Sequence, residues 1–346
     1  MRKWALPLIV LIAGFAALRS AGDIAFWRMY VAAATDAGAA QRAALVRPRI
    51  RIPGANAELP RAPADQEFLA PEALVAATAQ ARTARVQALV VHRHGHRVHE
   101  YFAPGASGHD ALSGGELSAA LFALATGARV DGGRVSHADA VRDVRSALSP
   151  ATVAGWRNPW SAATRRRLSL AAPPAFLLQD MDGTLAQTLS QRVWLPLQAG
   201  DAWLWGRDDT ALRVDCCVVA RLDDWVRVGD LFLGQGSYQG ERIVSADWMR
   251  QLLAADAHGQ VHPVWMTAQR PWTGAEPPAA RDVYWFDLES DVRIWIVPRR
   301  GVVVLQWSRG DEASDTTLLN IILRGLTDQS PSIGGAAELN DIVPGH

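Results

Sequence analysis

Ser113 and Glu116 stand three residues apart in Ser113-Gly114-Gly115-Glu116, directly ahead of an apolar run from Leu117 to Leu124. Residues three apart on a helix share a face, so an amine at the second position would lie beside the serine hydroxyl and help remove its proton. Glu116 instead offers a carboxylate, normally ionised at neutral pH and too weak a base to activate a serine efficiently. The same residues fit a capping box, Ser113 at the helix start and Glu116 bonding back to its amide, which explains both without chemistry. Residual nucleophilic chemistry at Ser113, helped by a raised pKa at Glu116, is the sharper alternative.

No lysine can be recruited to repair this pair. Lys3 is the lone lysine and every other basic residue is arginine, which stays protonated and cannot shuttle a proton. His92, His94, His96 and His99 form the densest polar cluster. Strand alternation could place some of these imidazoles on one face, but a turn at Gly95 and the lack of a carboxylate or cysteine partner favour a polar sheet face over a metal site. Cys216 and Cys217 are adjacent, with Cα atoms closer than an unstrained disulfide prefers, and read as small buried residues. Gly234-Gln235-Gly236 precedes no clear phosphate-binding helix, and Trp194, Trp203, Trp205, Trp225 and Trp248 read mainly as core anchors. No cofactor or metal site is expected.

The elements that must position these residues follow from pattern. Of the 346 residues 49% are hydrophobic and 20% charged, a composition that can bury a large core and argues against disorder. Basic and acidic residues balance at 35 each, so nothing overall steers the chain toward nucleic acid. Arg2 and Lys3 precede an uncharged apolar run from Trp4 to Leu18, the pattern of an export signal. As a helix the run spans about 22 Å, short for a full crossing, whereas the small-residue cleavage pattern is poorly met. Residues 1–22 are therefore expected as a signal peptide or an uncleaved inner-membrane anchor through residues 4–18, either of which leaves the body in the periplasm.

Pro48, Pro53, Pro60 and Pro63 make residues 23–70 an expected extended arm. The body, 71–326, opens with a helix near Pro71 to Ala81, and strand-like runs flank His94-Gly95. It closes with strand-like runs from Val292 to Val297 and Val302 to Trp307, then a helical run from Thr316 to Leu323. The order predicts an α+β fold: an antiparallel sheet from both ends of the body, with a helical region inserted between Leu117 and about Leu253. Residues 327–346 read as a loose tail.

Val90 to Gly105 (VVHRHGHRVHEYFAPG) and the following LSGGELSAALFALATGARVDGGRVSHADAV resemble the opening hairpin and nucleophile helix of the class C β-lactamase and penicillin-binding-protein-like serine hydrolases. TLAQTLSQRVWLPLQAGDAWLW from Thr184 is similar to that family's "L-W-x-P-L-G" segment, and CCVVARLDDWVRVGDLFLGQGSYQGERIVSADW from Cys216 to its "A-x-x-x-D-W-x-R-x-G-x-L" segment. The resemblance covers about Val86 to Leu323 and implies a β-lactamase/transpeptidase-like fold. In active members a Ser attacks a carbonyl, a Lys one turn later helps deprotonate it, a Tyr assists, and a third motif lies on a strand.

Carried onto this chain, the resemblance makes Ser113 the vestigial nucleophile position, with Glu116 in place of the lysine. Counting back from Asp131-Gly132-Gly133 could instead put Glu116 in the nucleophile slot and Ala119 in the lysine slot. Phe176 to Met181 resembles the helix before the tyrosine motif, yet no tyrosine occurs between Tyr101 and Tyr238. The third motif falls near Glu289-Ser290-Asp291, where acidic residues replace a cationic or neutral donor and read as a solvated turn. The expected function is a catalytically impaired, membrane-associated module in the periplasm with an unknown envelope ligand or protein partner; the alternative is a weak or altered serine hydrolase using Ser113 on an amide or ester.

Overall fold

The computed structural model describes residues 24–63, 69–133, 140, 144, 168–170, 172–178, 183–214, 217–253, 277–280, 282–289, 291–308 and 316–327. In chain order these form α1 (Ile24–Ala34), α2 (Ala39–Leu45), β1 (Arg49–Ile52), α3 (Pro71–Thr83), β2 (Ala88–Arg93), β3 (His96–Phe102), β4 (Ala111–Ser113) and α4 (Gly115–Asp131). There follow α5 (Ala175–Leu178), α6 (Leu185–Leu189), β5 (Ala202–Trp205), β6 (Val219–Arg221), α7 (Leu222–Leu233), β7 (Ser237–Tyr238), β8 (Glu241–Arg242) and α8 (Ala246–Leu253). The chain closes with β9 (Tyr284–Glu289), β10 (Val292–Val297), β11 (Val302–Trp307) and α9 (Thr317–Arg324).

The main sheet has the order β3-β2-β11-β10-β9 and is antiparallel throughout. Strands from the two ends of the body meet where β2 pairs with β11, Ala88 opposite Trp307 and Val302 opposite Arg93. The β2–β3 turn is made by His94 and Gly95, both at positive φ (50° and 77°), the backbone that a two-residue hairpin demands. Alternation assigns each face: Val90, Ile294, Ile296, Val303 and Leu305 join one core with α4 and α7, while Leu89, Val91, Trp295, Val297 and Val304 join another with α9. On α3 the buried stripe is Ala73, Ala77 and Ala81. These small side chains allow α9 to close in, so that a Cβ on Gly325 would lie 2.1 Å from the Ala73 Cβ.

Between the two ends lies more than helices. A second antiparallel sheet, order β1-β5-β6-β4, joins the chain start to the middle. The described part of residues 23–70, expected as an extended arm, therefore carries α1, α2 and an edge strand, with residues 53–60 outside regular structure. The apolar face of α1, with Phe26 and Met29, explains this: it packs on Trp205 and Val219 of the second sheet and on Cys217 just before β6. Cys217 is also disulfide-bonded, which corrects its reading as an unbonded buried residue. Cys217 lies at φ 72°, a backbone that few non-glycine residues adopt. Cys216 lies outside the described residues.

Helix α4 is the hub, with every residue from Leu117 to Val130 buried. Trp248 of α8 sits across it at Gly127, where a Cβ would come within 2.3 Å of the indole, and its Nε1–H donates to Ala123 O (3.1 Å). Trp194, Trp205 and Trp225 are likewise fully buried. Among the described residues no helix is long and apolar enough to cross a membrane. The run 4–18 and the tail from 328 onward fall outside them.

Candidate functional site

β4 delivers Ser113 to the start of α4, held in register by pairing with Val219 of β6 and by Gly114 N–H donating to Val218 O (2.8 Å). Ser113 is therefore a strand residue ahead of the helix, and the shared helix face expected for Ser113 and Glu116 does not form. Nor does Ser113 cap α4: Gly114 occupies the cap position and no side chain bonds there. The Ser113 hydroxyl turns away and donates to Glu289 Oε1 at 2.9 Å. A complete capping box occurs instead at Thr184 and Gln187, each bonding the other's amide, at the start of α6. Ala119 is packed in the core, with no titratable group in the alternative lysine slot.

The two glycines allow a close approach. A Cβ on Gly114 would meet the Trp225 ring at 2.2 Å, and one on Gly115, at φ +44°, would lie 1.5 Å from Leu288 O. The start of α4 therefore abuts the backbone of the edge strand β9. Main-chain atoms therefore fill that junction.

From the other side α2 completes the cover. Arg42 Nε lies 2.9 Å from Glu289 Oε2 and also donates to Ala37 O (2.9 Å), with the Arg42 and Glu289 side chains only 10% and 13% exposed. Asp291 Oδ1 accepts from Ala39 N–H (2.8 Å) at the first turn of α2, and Trp307 Nε1–H donates to Asp291 Oδ2 (3.2 Å). Gly38 is needed for this seat, since a Cβ there would be 2.2 Å from Asp291 Oδ2. Glu289 and Asp291, expected in a solvated turn, are thus covered and partnered; Ser290 lies outside the described residues.

Burial pushes the Glu289 carboxyl up to about 7, against the pull of Arg42 and the Ser113 hydrogen bond, while Asp291 and Asp36 push further upward. Burial likewise raises Asp291, opposed by its bonds to Ala39 and Trp307. The result is a serine hydroxyl on a carboxyl that titrates near neutrality. Such a pair has the proton affinity of a general base, but Ser113 is fully buried.

The histidines separate. His92 points toward α7 and pairs through Nδ1 with Asp230 Oδ2 at 2.7 Å, both buried. His94 forms the turn, His96 Nδ1 meets His94 O (3.1 Å), and His99 Nε2 lies 3.3 Å from Thr78 Oγ1 on α3. Tyr238 is buried, and loss of hydration pushes its phenol up to about 12.

Sequence reasoning missed Arg42, the Ser113–Glu289 bond and a set of buried charges on α7. For the last a signal existed: Asp224, Arg227 and Asp230 recur three apart, so one side of the helix had to carry them.

No protein-family model matches the sequence, and no curated protein matches it. Solved structures do. A Bacillus anthracis protein assigned as a 6-aminohexanoate-dimer hydrolase superposes over 82% of this chain and 90% of its own, at 12% identity and a TM-score of 0.54. A β-lactamase from Mycobacterium bovis matches over 72% and 99% respectively, at 14% identity and a TM-score of 0.50. At these identities the likeness concerns the backbone, and with the sheet order and α4 placement described above it shows that the chain carries the β-lactamase/transpeptidase-like fold.

Proposed function

We propose that this chain is a non-catalytic member of the β-lactamase-related serine hydrolases, acting as a membrane-associated binding or interaction module in the periplasm. The observation that carries the reading is the Arg42–Glu289–Ser113 chain of contacts, which spends the serine hydroxyl on a buried carboxyl beneath α2. The missing lysine and the contact of Gly115 with Leu288 O support it. Membrane association is supported by the apolar run 4–18 and by Ile24 and Val31, exposed on the helix that follows it.

A second reading draws on the Glu289 carboxyl near 7: an altered hydrolase that deprotonates Ser113 with Glu289 once α2 has moved aside. Labelling with a fluorescent penicillin and a fluorophosphonate decides between them. The first reading expects no adduct in wild type or Ser113→Ala. Labelling of the wild type that disappears in Ser113→Ala overturns it in favour of the second.

A further inference from the structure

Away from Ser113, the stretch after β1 crosses the first turn of α7 and leaves a cleft. Asn56 N–H donates to Ala199 O (2.9 Å), Arg97 N–H to Pro60 O (2.8 Å) and the Arg227 side chain, through Nη2, to Ala57 O (2.5 Å), so hydrogen bonds to its main chain fix one wall. The cleft measures about 230 Å³, and its polar lining includes Arg97, His109, Arg221, Asp223, Asp224 and Arg227.

Asp224 and Arg227 are each 1% exposed, yet among the described residues Asp224 Oδ2 and Arg227 Nε have no hydrogen-bond partner, and neither do Asp223 Oδ1 and Arg97 Nε. The one contact between the two buried groups, Arg227 Nη1 to Asp224 Oδ1, is a long 3.4 Å. Buried polar atoms are almost always bonded, and a set of orphans around one cleft marks a place where a ligand completes them. Two acceptors and two donors are represented, and three arginines stand against Asp223, Asp224 and Glu58 at the rim. Neither a simple cation nor a simple anion matches that lining.

Gly200 narrows the choice. A Cβ there would lie 3.0 Å from Asp224 Oδ2 and 3.1 Å from Arg221 Cζ, so a carboxylate and a guanidinium converge on one small space. Opposite charges that close together match a molecule whose own charges are a bond or two apart. The volume falls below the roughly 300–1,000 Å³ of pockets for drug-sized ligands, which suits a single residue-sized molecule.

We propose that this cleft binds a small zwitterion of the α-amino-acid class, its ammonium on Asp223 and Asp224 and its carboxylate on Arg221 and Arg97. The site shares no residue with the Ser113–Glu289 cluster, so it does not depend on Ser113 being inert. Gly108 belongs to the design, since a Cβ there would sit 2.4 Å from Asp223 Oδ1 and displace that carboxyl.

Calorimetric titration of the full chain in a neutral detergent tests the assignment, using the common amino acids with acetate and methylammonium as single-charge probes. At least one amino acid should bind with a Kd below about 1 mM, both single-charge probes being at least about tenfold weaker. Asp223→Asn and Arg221→Gln should each weaken that binding about tenfold or more while leaving the thermal melt in place. Absence of any amino-acid binding up to about 10 mM overturns the proposal. Equal binding of acetate or methylammonium, or wild-type affinity in both variants, does so as well.

Discussion

Arg42 on α2 and Glu289 at the end of β9 meet at 2.9 Å, joining a helix from the start of the chain to the strand that borders α4. Because Glu289 also accepts the Ser113 hydroxyl, one carboxyl fastens three separate parts of the fold. It does so from a covered position, where an ionised group needs its partners. Removing any one of the three therefore changes what the others can do.

Arg42→Ala removes the cation and leaves Glu289 covered. Breaking a buried pair from one side costs about 3–5 kcal/mol when the remaining charge cannot escape. Glu289 can escape by taking a proton, and more readily without Arg42, which holds its carboxyl down. The loss should therefore sit near the lower limit, about 3 kcal/mol at pH 8, and shrink at pH 5, as read by urea unfolding at the two pH values. An equal loss at both would mean that charge plays no part.

Glu289 also sets a pH dependence of the wild type. Its folded pKa of about 7 lies above its ordinary 4.5, so between those values the folded chain holds a proton that the unfolded chain has released. Its contribution is full below about 4.5 and is lost as pH rises through 7, a fall of about 3 kcal/mol. Glu289→Gln abolishes that fall, so the variant's stability relative to wild type should improve from pH 5 to pH 8. Parallel stability profiles for the two proteins would refute the assignment.

The main sheet was legible because its signals are local. His94-Gly95 and Gly301 mark the turns, and β2, β10 and β11 are long enough for alternation to show. The second sheet was not, since β4 and β6 have three residues each, too few for a period. The covering helix was hidden for another reason: Arg42 stands in an alanine-rich stretch whose local pattern says nothing of a partner on β9. Glu289 and Asp291 looked like a solvated turn for the same reason, because the atoms that bury them lie at the far end of the chain. Ser113 stands just ahead of α4, but its hydroxyl bonds Glu289, a tertiary partner that no local pattern names.

His92 and Asp230 form a second buried pair, 2.7 Å apart, with His92 Nε2 and Asp230 Oδ1 left without partners among the described residues. One hydrogen bond, between His92 Nδ1 and Asp230 Oδ2, joins them. A double-mutant cycle of His92→Leu and Asp230→Leu should return a coupling of about 1.5–3 kcal/mol, the range for hydrogen bonds to charged groups. Additive losses would show that the two side chains are merely adjacent.

Gly115 carries the contact between α4 and β9. It sits at φ +44°, where an L-residue costs about 1–3 kcal/mol from backbone strain alone. Its added Cβ would also lie 1.5 Å from Leu288 O, which cannot yield without moving β9. Gly133 has the same backbone sign, φ +71°, but among the described residues nothing lies within 4 Å of its Cβ position. Gly133→Ala should therefore cost about 1 kcal/mol, while Gly115→Ala costs that strain plus the displacement of a strand, at least about 3 kcal/mol. If β9 is forced away from α4, hydrogen exchange should quicken at Phe286 and Leu288 in Gly115→Ala and stay unchanged in Gly133→Ala. Equal losses in the two variants would mean that the junction is open, and the main-chain closure over Ser113 would then have to be given up.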